Sequence, residues 1–349
     1  MNNSPKFTVV LAGYETEPYL PTALESISRQ TFTDFEVICF VEESTDKSLE
    51  ICQAMAERDS RFKVVSGPKT GAASTTRNYG IDHANGEYLV FIDGDDWLSN
   101  KMLEKLLEKL QGTGPVDVLA FTAISTEKDD VDWERNAKYT NFRAKDAEGV
   151  FSGLDAIRRV GSYGGGMNNY TWLCIYRVAF LREHHLYQTP GILMEDMEST
   201  PRIWFFAKTF AYLDEALYVY RRRPNSVMTQ ASARIIGDLA QQILSLITFI
   251  ESHEIPDDIL TIWCNQWLAI FFWLMFHPVS SQKIPDAERK QALNAILRSK
   301  AKATFKRMVA RASMPKRIAL PLIQLAAQGF QFPAKFYFRK IYYPLVARR

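Results

Sequence analysis

Residues 88–96 read Tyr-Leu-Val-Phe-Ile-Asp-Gly-Asp-Asp (YLVFIDGDD), five apolar positions that stop on three carboxylates in four residues. An uninterrupted apolar run of this length, rich in β-branched and aromatic side chains, predicts a strand buried on both faces. Asp93, Asp95 and Asp96 then fall at its carboxyl end, where open α/β sheets place their ligands. Crowded like charges are unfavourable unless a cation neutralises them, and a hard divalent ion bridging to substrate phosphates is one solution. Gly94 between the aspartates permits close approach of backbone and ligand. The alternative for the same residues is a solvated turn in which Asp96 caps the next helix.

Outward from this stretch, apolar runs alternate with amphipathic ones. Strands are predicted at Phe7–Leu11, Phe35–Val41, Phe62–Ser66 and Val116–Thr122. Helices are predicted at Tyr19–Arg29, from Ser44-Thr45-Asp46 through Met55, at Ala72–Ala84 and at about Asn100–Leu110. The pattern is that of an α/β fold, a mostly parallel sheet flanked by helices. Residues 125–149 form a polar excursion, and 151–160 a helix. Residues 162–170 are a glycine-rich loop suited to a site that opens and closes. A further helix follows Met194-Glu195-Asp196, and beyond Asn225 the chain turns helical and aromatic, then basic. The expected division is 1–230 for the sheet domain and 231–349 for a helical region with a basic, aromatic tail.

The 349 residues are 47% hydrophobic and 13% aromatic, which excludes wholesale disorder, collagen and coiled coil. The net charge of +2 conceals a polarity: fifteen of the 42 Lys and Arg and none of the 40 acids lie in 289–349. Cys39, Cys52, Cys174 and Cys264 are scattered without a CxxC pair, so neither zinc nor a disulfide framework is signalled. There is no phosphate-binding GxxxxGK[ST], no GxGxxG after the first strand, no GxSxG and no HExxH. The N-terminus lacks the cationic start and apolar core of a signal peptide, and Trp267–Phe276 is too short to span a bilayer, which needs about 20 apolar residues.

Other candidates stand at predicted element ends. Glu42 and Glu43 close the second strand, as acceptors for a ribose or pyrimidine N–H or as solvated acids. Arg77, in a helix interrupted by Gly80, pairs with the acidic cluster or makes a structural ion pair; the mid-helix glycine implies close packing or a ligand. Glu195 and Asp196 open a helix, as a general base or as carboxylates favoured by the helix dipole. Arg221-Arg222-Arg223 could set a cation over a diphosphate or form a solvated basic loop.

The ordered series of motifs resembles the family-2 glycosyltransferases of GT-A fold, of the bacterial capsular, exopolysaccharide and lipopolysaccharide type. It runs through Tyr14, Tyr19-Leu20, Ser26-Ile27, Gln30-Thr31, Val41 to Asp46, Arg77-Asn78, Gly80, Gly86-Glu87-Tyr88 and Asp93 to Asp96. Downstream it continues through Trp172, Tyr176, Glu195-Asp196, Tyr218 to Arg221 and Asn225-Ser226. The resemblance implies an enzyme, a hexosyl- or N-acetylhexosaminyl-transferase, moving a sugar from a nucleotide-diphosphate donor (a UDP-sugar favoured) to a hydroxyl acceptor, with inversion. It implies Tyr14, Glu42, Arg77, Asp93 and Asp95 as nucleotide-sugar contacts and Asp95 as the ligand of Mn²⁺ or Mg²⁺. It further implies Asp196 or Glu195 as the base and Trp172 at the acceptor or sugar pocket; of the three arginines, Arg222 is the one expected toward the diphosphate. Where the family commonly has Asp-Asp-Gly-Ser this chain has Glu42-Glu43-Ser44, and Glu15 replaces the usual asparagine after Tyr14. The alternatives are a non-catalytic nucleotide-sugar-binding scaffold and a sugar-phosphate nucleotidyltransferase.

Between Ile318 and Val346, seven Phe and Tyr interleave with Lys335, Arg339 and Lys340. That composition suits an anionic membrane surface, and predicts a cytoplasmic enzyme docked on the inner face of the plasma membrane near a glycan or lipid-linked acceptor. A tail packed on the protein is the alternative. Nucleic acid is not an expected partner.

Overall fold

The structure, a computed structural model, describes residues 4–128, 131, 148–161, 170–223, 233–276 and 284–311, without the side chains of 160, 161, 233 and 272–276. The glycine-rich stretch 162–169, Asn225-Ser226 and the tail from residue 312 lie outside the described residues. The chain divides into two compact units, 1–160 with 168–223, and 161–167 with 224–349.

The first unit is a mixed sheet with helices. Strands β1 (Phe7–Gly13), β2 (Phe35–Glu42), β3 (Phe62–Gly67) and β4 (Tyr88–Asp93) are parallel neighbours in the order β3-β2-β1-β4. They are joined by α1 (Leu20–Ser28), α2 (Ser48–Arg58) and α3 (Ser74–His83). After the two-residue β5 (Trp97–Leu98) and α4 (Met102–Thr113) comes β6 (Val118–Thr126). The sheet then continues through strands that alternation had not separated. After β7 (Val150–Phe151) and α5 (Gly153–Gly161), the short β8 (Cys174–Arg177) inserts antiparallel between β4 and β6. After α6 (Val178–Glu183) and α7 (Asp196–Phe206), the twelve-residue β9 (Phe210–Arg221) pairs parallel to β6 and antiparallel to β5 and β7. The parallel core is therefore as expected, with antiparallel strands added on one side.

β2 is buried at all eight positions and β4 at five of six, which is why both read as continuous apolar runs rather than alternating ones. Gly80 explains itself by packing: a Cβ there would come 2.6 Å from Val10 Cγ2, so glycine lets α3 lie directly on β1.

The second unit is helical: α8 (Ala233–Ser252), α9 (Asp257–Phe276), α10 (Asp286–Leu297) and α11 (Lys302–Arg311). Ile236, Leu239, Ile243, Leu246 and Ile247 of α8 are buried at helical spacing, as are Trp263, Trp267 and Phe271 of α9. Phe271 meets Phe305 of α11 edge-on, with centroids 6.2 Å apart. Among the described residues one helix, 234–252, is long and apolar enough to cross a membrane by length and composition, and half of it is buried.

The Gly80 contact gives a direct test of the α3–β1 packing. Gly80→Ala is expected to destabilise the protein by about 1–3 kcal/mol in urea unfolding. Combined with Val10→Ala, the loss should be smaller than the sum of the single losses, because the second change removes the colliding methyl. Strict additivity would mean that Val10 is not the obstacle.

Candidate active site

The parallel register brings Ala12 of β1 beside Asp93 of β4, and Gly13 beside Val41 of β2, so the carboxyl ends of three strands share one edge. The Gly94 N–H donates to the Ala12 carbonyl at 2.9 Å. A Cβ on residue 94 would stand 2.8 Å from that oxygen and 3.0 Å from Thr16 Oγ1, so the turn after β4 closes on β1 because residue 94 has no side chain.

The three aspartates diverge. Asp93 accepts from Arg77 Nη2 at 3.1 Å. Asp95 accepts from Arg223 Nε at 2.5 Å. Asp96 is fully buried, taking the Tyr218 hydroxyl at 2.6 Å and the Arg221 N–H at 2.8 Å. Burial, followed by the charges of Asp95 and Asp93, pushes Asp96 well above the ordinary carboxylate range. Asp96 is thus an anchor between the turn and β9, neither a solvated cap nor a ligand-facing acid. The expected crowding is relieved by protein cations and a hydroxyl, one partner set for each carboxylate.

Arg77 of α3 is the common neighbour. Its buried guanidinium donates to Asp93 and, through Nη1, to Glu195, while its Nε has no hydrogen-bond partner among the described residues. Burial alone would lower its pKa, but Asp93, Glu195 and Asp196 hold it above the ordinary arginine value. Glu195 is the N-cap of α7, preceded by Met194 at φ +59°, and Asp196 is the first helical residue. Glu195 is buried and raised by burial against the pull of Arg77. Asp196 keeps partial contact with solvent, yet burial of its carboxyl and then the charge of Glu195 push it up to about 7. Two adjacent acids therefore behave differently, since Glu195 is locked to an arginine while Asp196 can exchange a proton near neutral pH.

Alternation along β9 and just past it separates the three arginines. Tyr218 and Tyr220 lie against Trp172, on one face. Arg221 and Arg223 fall on the other, both over the Tyr19 ring at 5.0 and 5.5 Å, and Arg221 Nε donates to the Asp95 carbonyl at 2.9 Å. Arg222 is turned away, exposed and 3.8 Å from Glu127. The arginine on Asp95 is thus Arg223 and not Arg222, a difference that a period of two read through YVYRRR would have found.

Trp172 is 6% exposed, with the rings of Tyr170, Tyr218 and Tyr220 parallel to it within 17°. It is an inner member of an aromatic stack, and Tyr170, which no sequence motif singles out, is the exposed one. Glu42 is also buried. It accepts from the N–H groups of Thr70 at 3.0 Å and Gly71 at 2.8 Å, and from the Thr70 hydroxyl, so it shapes the loop after β3. Tyr14 carries Lys69 over its ring at 4.8 Å. Glu15 has φ +48°, a conformation that suits asparagine better than glutamate. Here its N–H donates to Ser44 Oγ at 3.1 Å and its carboxylate accepts from Thr45 Oγ1 at 3.1 Å. Among the described residues no group of three His, Cys, Asp or Glu side chains could hold a metal.

Residues 8–169 match the model of the glycosyl transferase family 2. EpsH of Bacillus subtilis is 28% identical over 236 residues, 66% of this chain and 65% of EpsH. The glycosyltransferase GlyG of Streptococcus pneumoniae is 27% identical over 230 residues, 64% of this chain and 73% of GlyG. This chain therefore spans just under two thirds of the first of these relatives. Among solved structures, Staphylococcus aureus TarS 1–349 in complex with UDP-GlcNAc superposes with a TM-score of 0.71 at 20% identity, covering 96% of this chain and 92% of that one. At that identity the likeness is one of fold, and its coverage extends past the sheet into the helical unit.

The site has a signature in stability. Asp93, Asp96, Glu195 and Asp196 all have folded-state pKa values above their unfolded ones, so the folded protein binds their protons more tightly. Lowering the pH from about 7 toward about 5 should therefore raise the Tm of the ligand-free protein. Below about 4 stability should fall, as the lowered Glu36, Asp59 and Asp117 are protonated. Asp196→Asn should flatten the rise; a Tm that drops steadily from pH 7 would contradict this ionisation pattern.

Proposed function

We propose that this chain, which carries a family 2 glycosyltransferase domain of GT-A fold, transfers a sugar from a nucleotide-diphosphate donor to a hydroxyl acceptor, with inversion. The observation that carries the reading is the Arg77–Glu195–Asp93 cluster with Asp196 on its rim, its carboxyl pushed up to about 7. A base matched to neutral pH can take a proton from an acceptor hydroxyl as that oxygen attacks the anomeric carbon. Glu195 is a positioning residue: tied to Arg77, it fixes the first turn of α7 and so the place of Asp196.

The departing nucleoside diphosphate needs positive charge. Arg223, already on Asp95, and Arg221 beside it are placed to supply it. A Mn²⁺ or Mg²⁺ would be held by Asp95, whose pair with Arg223 is partly exposed, whereas Asp93 and Asp96 are bonded to buried partners; phosphates and water would have to supply its other ligands. When bound it would stabilise charge on the leaving diphosphate. Tyr14, and Glu42 acting through the 70–71 loop, are the residues we assign to reading the nucleoside, and a UDP-sugar is the favoured donor.

The name of one relative, the minor teichoic acid biosynthesis protein GgaB of Bacillus subtilis, supports a role in cell-surface polysaccharide synthesis, and the UDP-GlcNAc bound by TarS supports a hexose or N-acetylhexosamine as the transferred sugar; a glycan or lipid-linked acceptor belongs to the same proposal. The acid-free stretch 289–349 supports docking on an anionic cytoplasmic membrane surface.

Donor hydrolysis and transfer, measured with UDP-sugars and Mn²⁺, test the reading. Asp196→Asn and Asp95→Ala are each expected to lower turnover roughly 100-fold. The wild-type rate should climb with pH through about 7 as Asp196 loses its proton. Arg223→Ala should raise the donor KM about tenfold and Arg222→Ala by less than about twofold. Turnover indifferent to both acidic substitutions would overturn the site assignment. For the tail, Glu at Lys335, Arg339 and Lys340 should abolish flotation with phosphatidylserine vesicles; equal flotation would sink the docking proposal.

A further inference from the structure

The aromatic stack ends at the site in an unusual way. The rings of Tyr170, Tyr218 and Tyr220 each lie near-parallel to Trp172, with centroids 5.0, 4.5 and 5.6 Å from it and planes 16°, 17° and 4° from parallel. Tyr218 is fixed, because its hydroxyl is bonded to buried Asp96. Tyr170 is 36% exposed and, with Val150, makes up the large apolar side chains exposed among the described residues. Its backbone is also held, its carbonyl accepting from Leu173 N–H at 3.1 Å at the start of the single 3₁₀ turn Thr171–Leu173. Burial, and after it the charge of Asp196, raise the Tyr170 phenol above its ordinary pKa, which puts the ring within the field of the candidate base.

A held, exposed aromatic face beside a general base has a definite chemical partner. The electron-rich face of the ring attracts C–H groups, and the axial C–H bonds on one side of a pyranose ring form a flat apolar patch of matching size. An open-chain polyol phosphate has no such patch, and its charge would lie close to Asp196 and Glu195.

We infer that the exposed ring of Tyr170 is the platform on which the acceptor sugar stacks, and that the residue receiving the transferred sugar is a pyranose rather than an acyclic polyol phosphate. This rests on the glycosyl-transfer reading above. It also moves the acceptor contact from Trp172, which the stack covers, to Tyr170.

The test is saturation-transfer NMR on the full chain with UDP and Mg²⁺. The probes are the methyl pyranosides of glucose, galactose and N-acetylglucosamine, against ribitol 5-phosphate and glycerol 3-phosphate. Wild type and Tyr170→Phe should saturate the ring C–H protons of at least one pyranoside, and both Tyr170→Ala and Tyr170→Leu should weaken that signal about fivefold, the order expected of one aromatic-face contact. Rescue by Phe distinguishes a stacking face from a hydroxyl contact. Leu keeps apolar bulk without a ring face, and a UDP-induced rise in Tm shows that each variant is folded. The inference is overturned if no pyranoside is saturated by wild type, if the signal survives both Tyr170→Ala and Tyr170→Leu, or if the acyclic phosphates saturate as strongly. Absence of donor hydrolysis by wild type would instead fail the glycosyl-transfer reading, whatever the pyranosides do.

Discussion

Much of the candidate site depends on one buried cation. Arg77 reaches from α3 to the end of β4 at Asp93 and to the N-cap of α7 at Glu195, 118 residues further along the chain. A buried guanidinium stripped of its carboxylates is strongly destabilising, and so is a buried carboxylate stripped of its guanidinium. The three groups therefore hold one another in place. Gly80, one turn along the same helix, sets the height of Arg77 by letting α3 rest on Val10. The geometry of the acid on α7 thus traces back to a missing methyl group under α3.

Around that cation, residues of one chemical type are separated into different roles by what lies beside them. Asp93, Asp95 and Asp96 fall within four consecutive positions, yet one faces a buried arginine, one a partly exposed arginine and one a tyrosine hydroxyl. Glu195 and Asp196 are neighbours with the same charge, but only Glu195 is tied down. Of the three consecutive arginines, two share the face of Asp95 and one faces away. In each case the divergence follows from backbone direction: a turn around Gly94, the first turn of a helix, the alternation of a strand. Electrostatics then follows geometry, since the pKa of each acid rises with its burial and with the acids left near it.

The parallel core was legible because β1, β2 and β4 are buried on both faces and therefore appear as unbroken apolar runs. Strands β8 and β9 were not, for physical reasons that differ. Cys174–Arg177 is only four residues long, too short for any period to register. Phe210–Arg221 is long but carries Asp214-Glu215 at its middle, an exposed polar break in an otherwise buried strand. At the site, Arg77 was legible as a partner of the acidic cluster because a cation among so many acids has few other uses. Glu42 was harder to read. A glutamate at a strand end looks the same in sequence whether it faces a ligand or gathers the Thr70 and Gly71 N–H groups of a neighbouring loop. That Trp172 is covered by Tyr170, Tyr218 and Tyr220 was not legible, because it needs the relative positions of β9 and the segment before β8.

That arrangement ties the two halves of the proposed reaction to one strand. β9 presents Tyr218 and Tyr220 on one face, supporting the stack that ends at Tyr170, and Arg221 on the other, bonded to the Asp95 carbonyl. Asp96 closes the link by accepting from both the Tyr218 hydroxyl and the Arg221 N–H. Displacement of this strand would move the cation for the leaving diphosphate and the platform for the acceptor together, in step. The fully buried Asp96, with two donors and almost no exposure, is what makes such displacement costly, because releasing it would strand an unsatisfied carboxyl in the core. The third aspartate of the turn therefore has a role that needs no contact with substrate: it keeps the turn after β4 and strand β9 in fixed register.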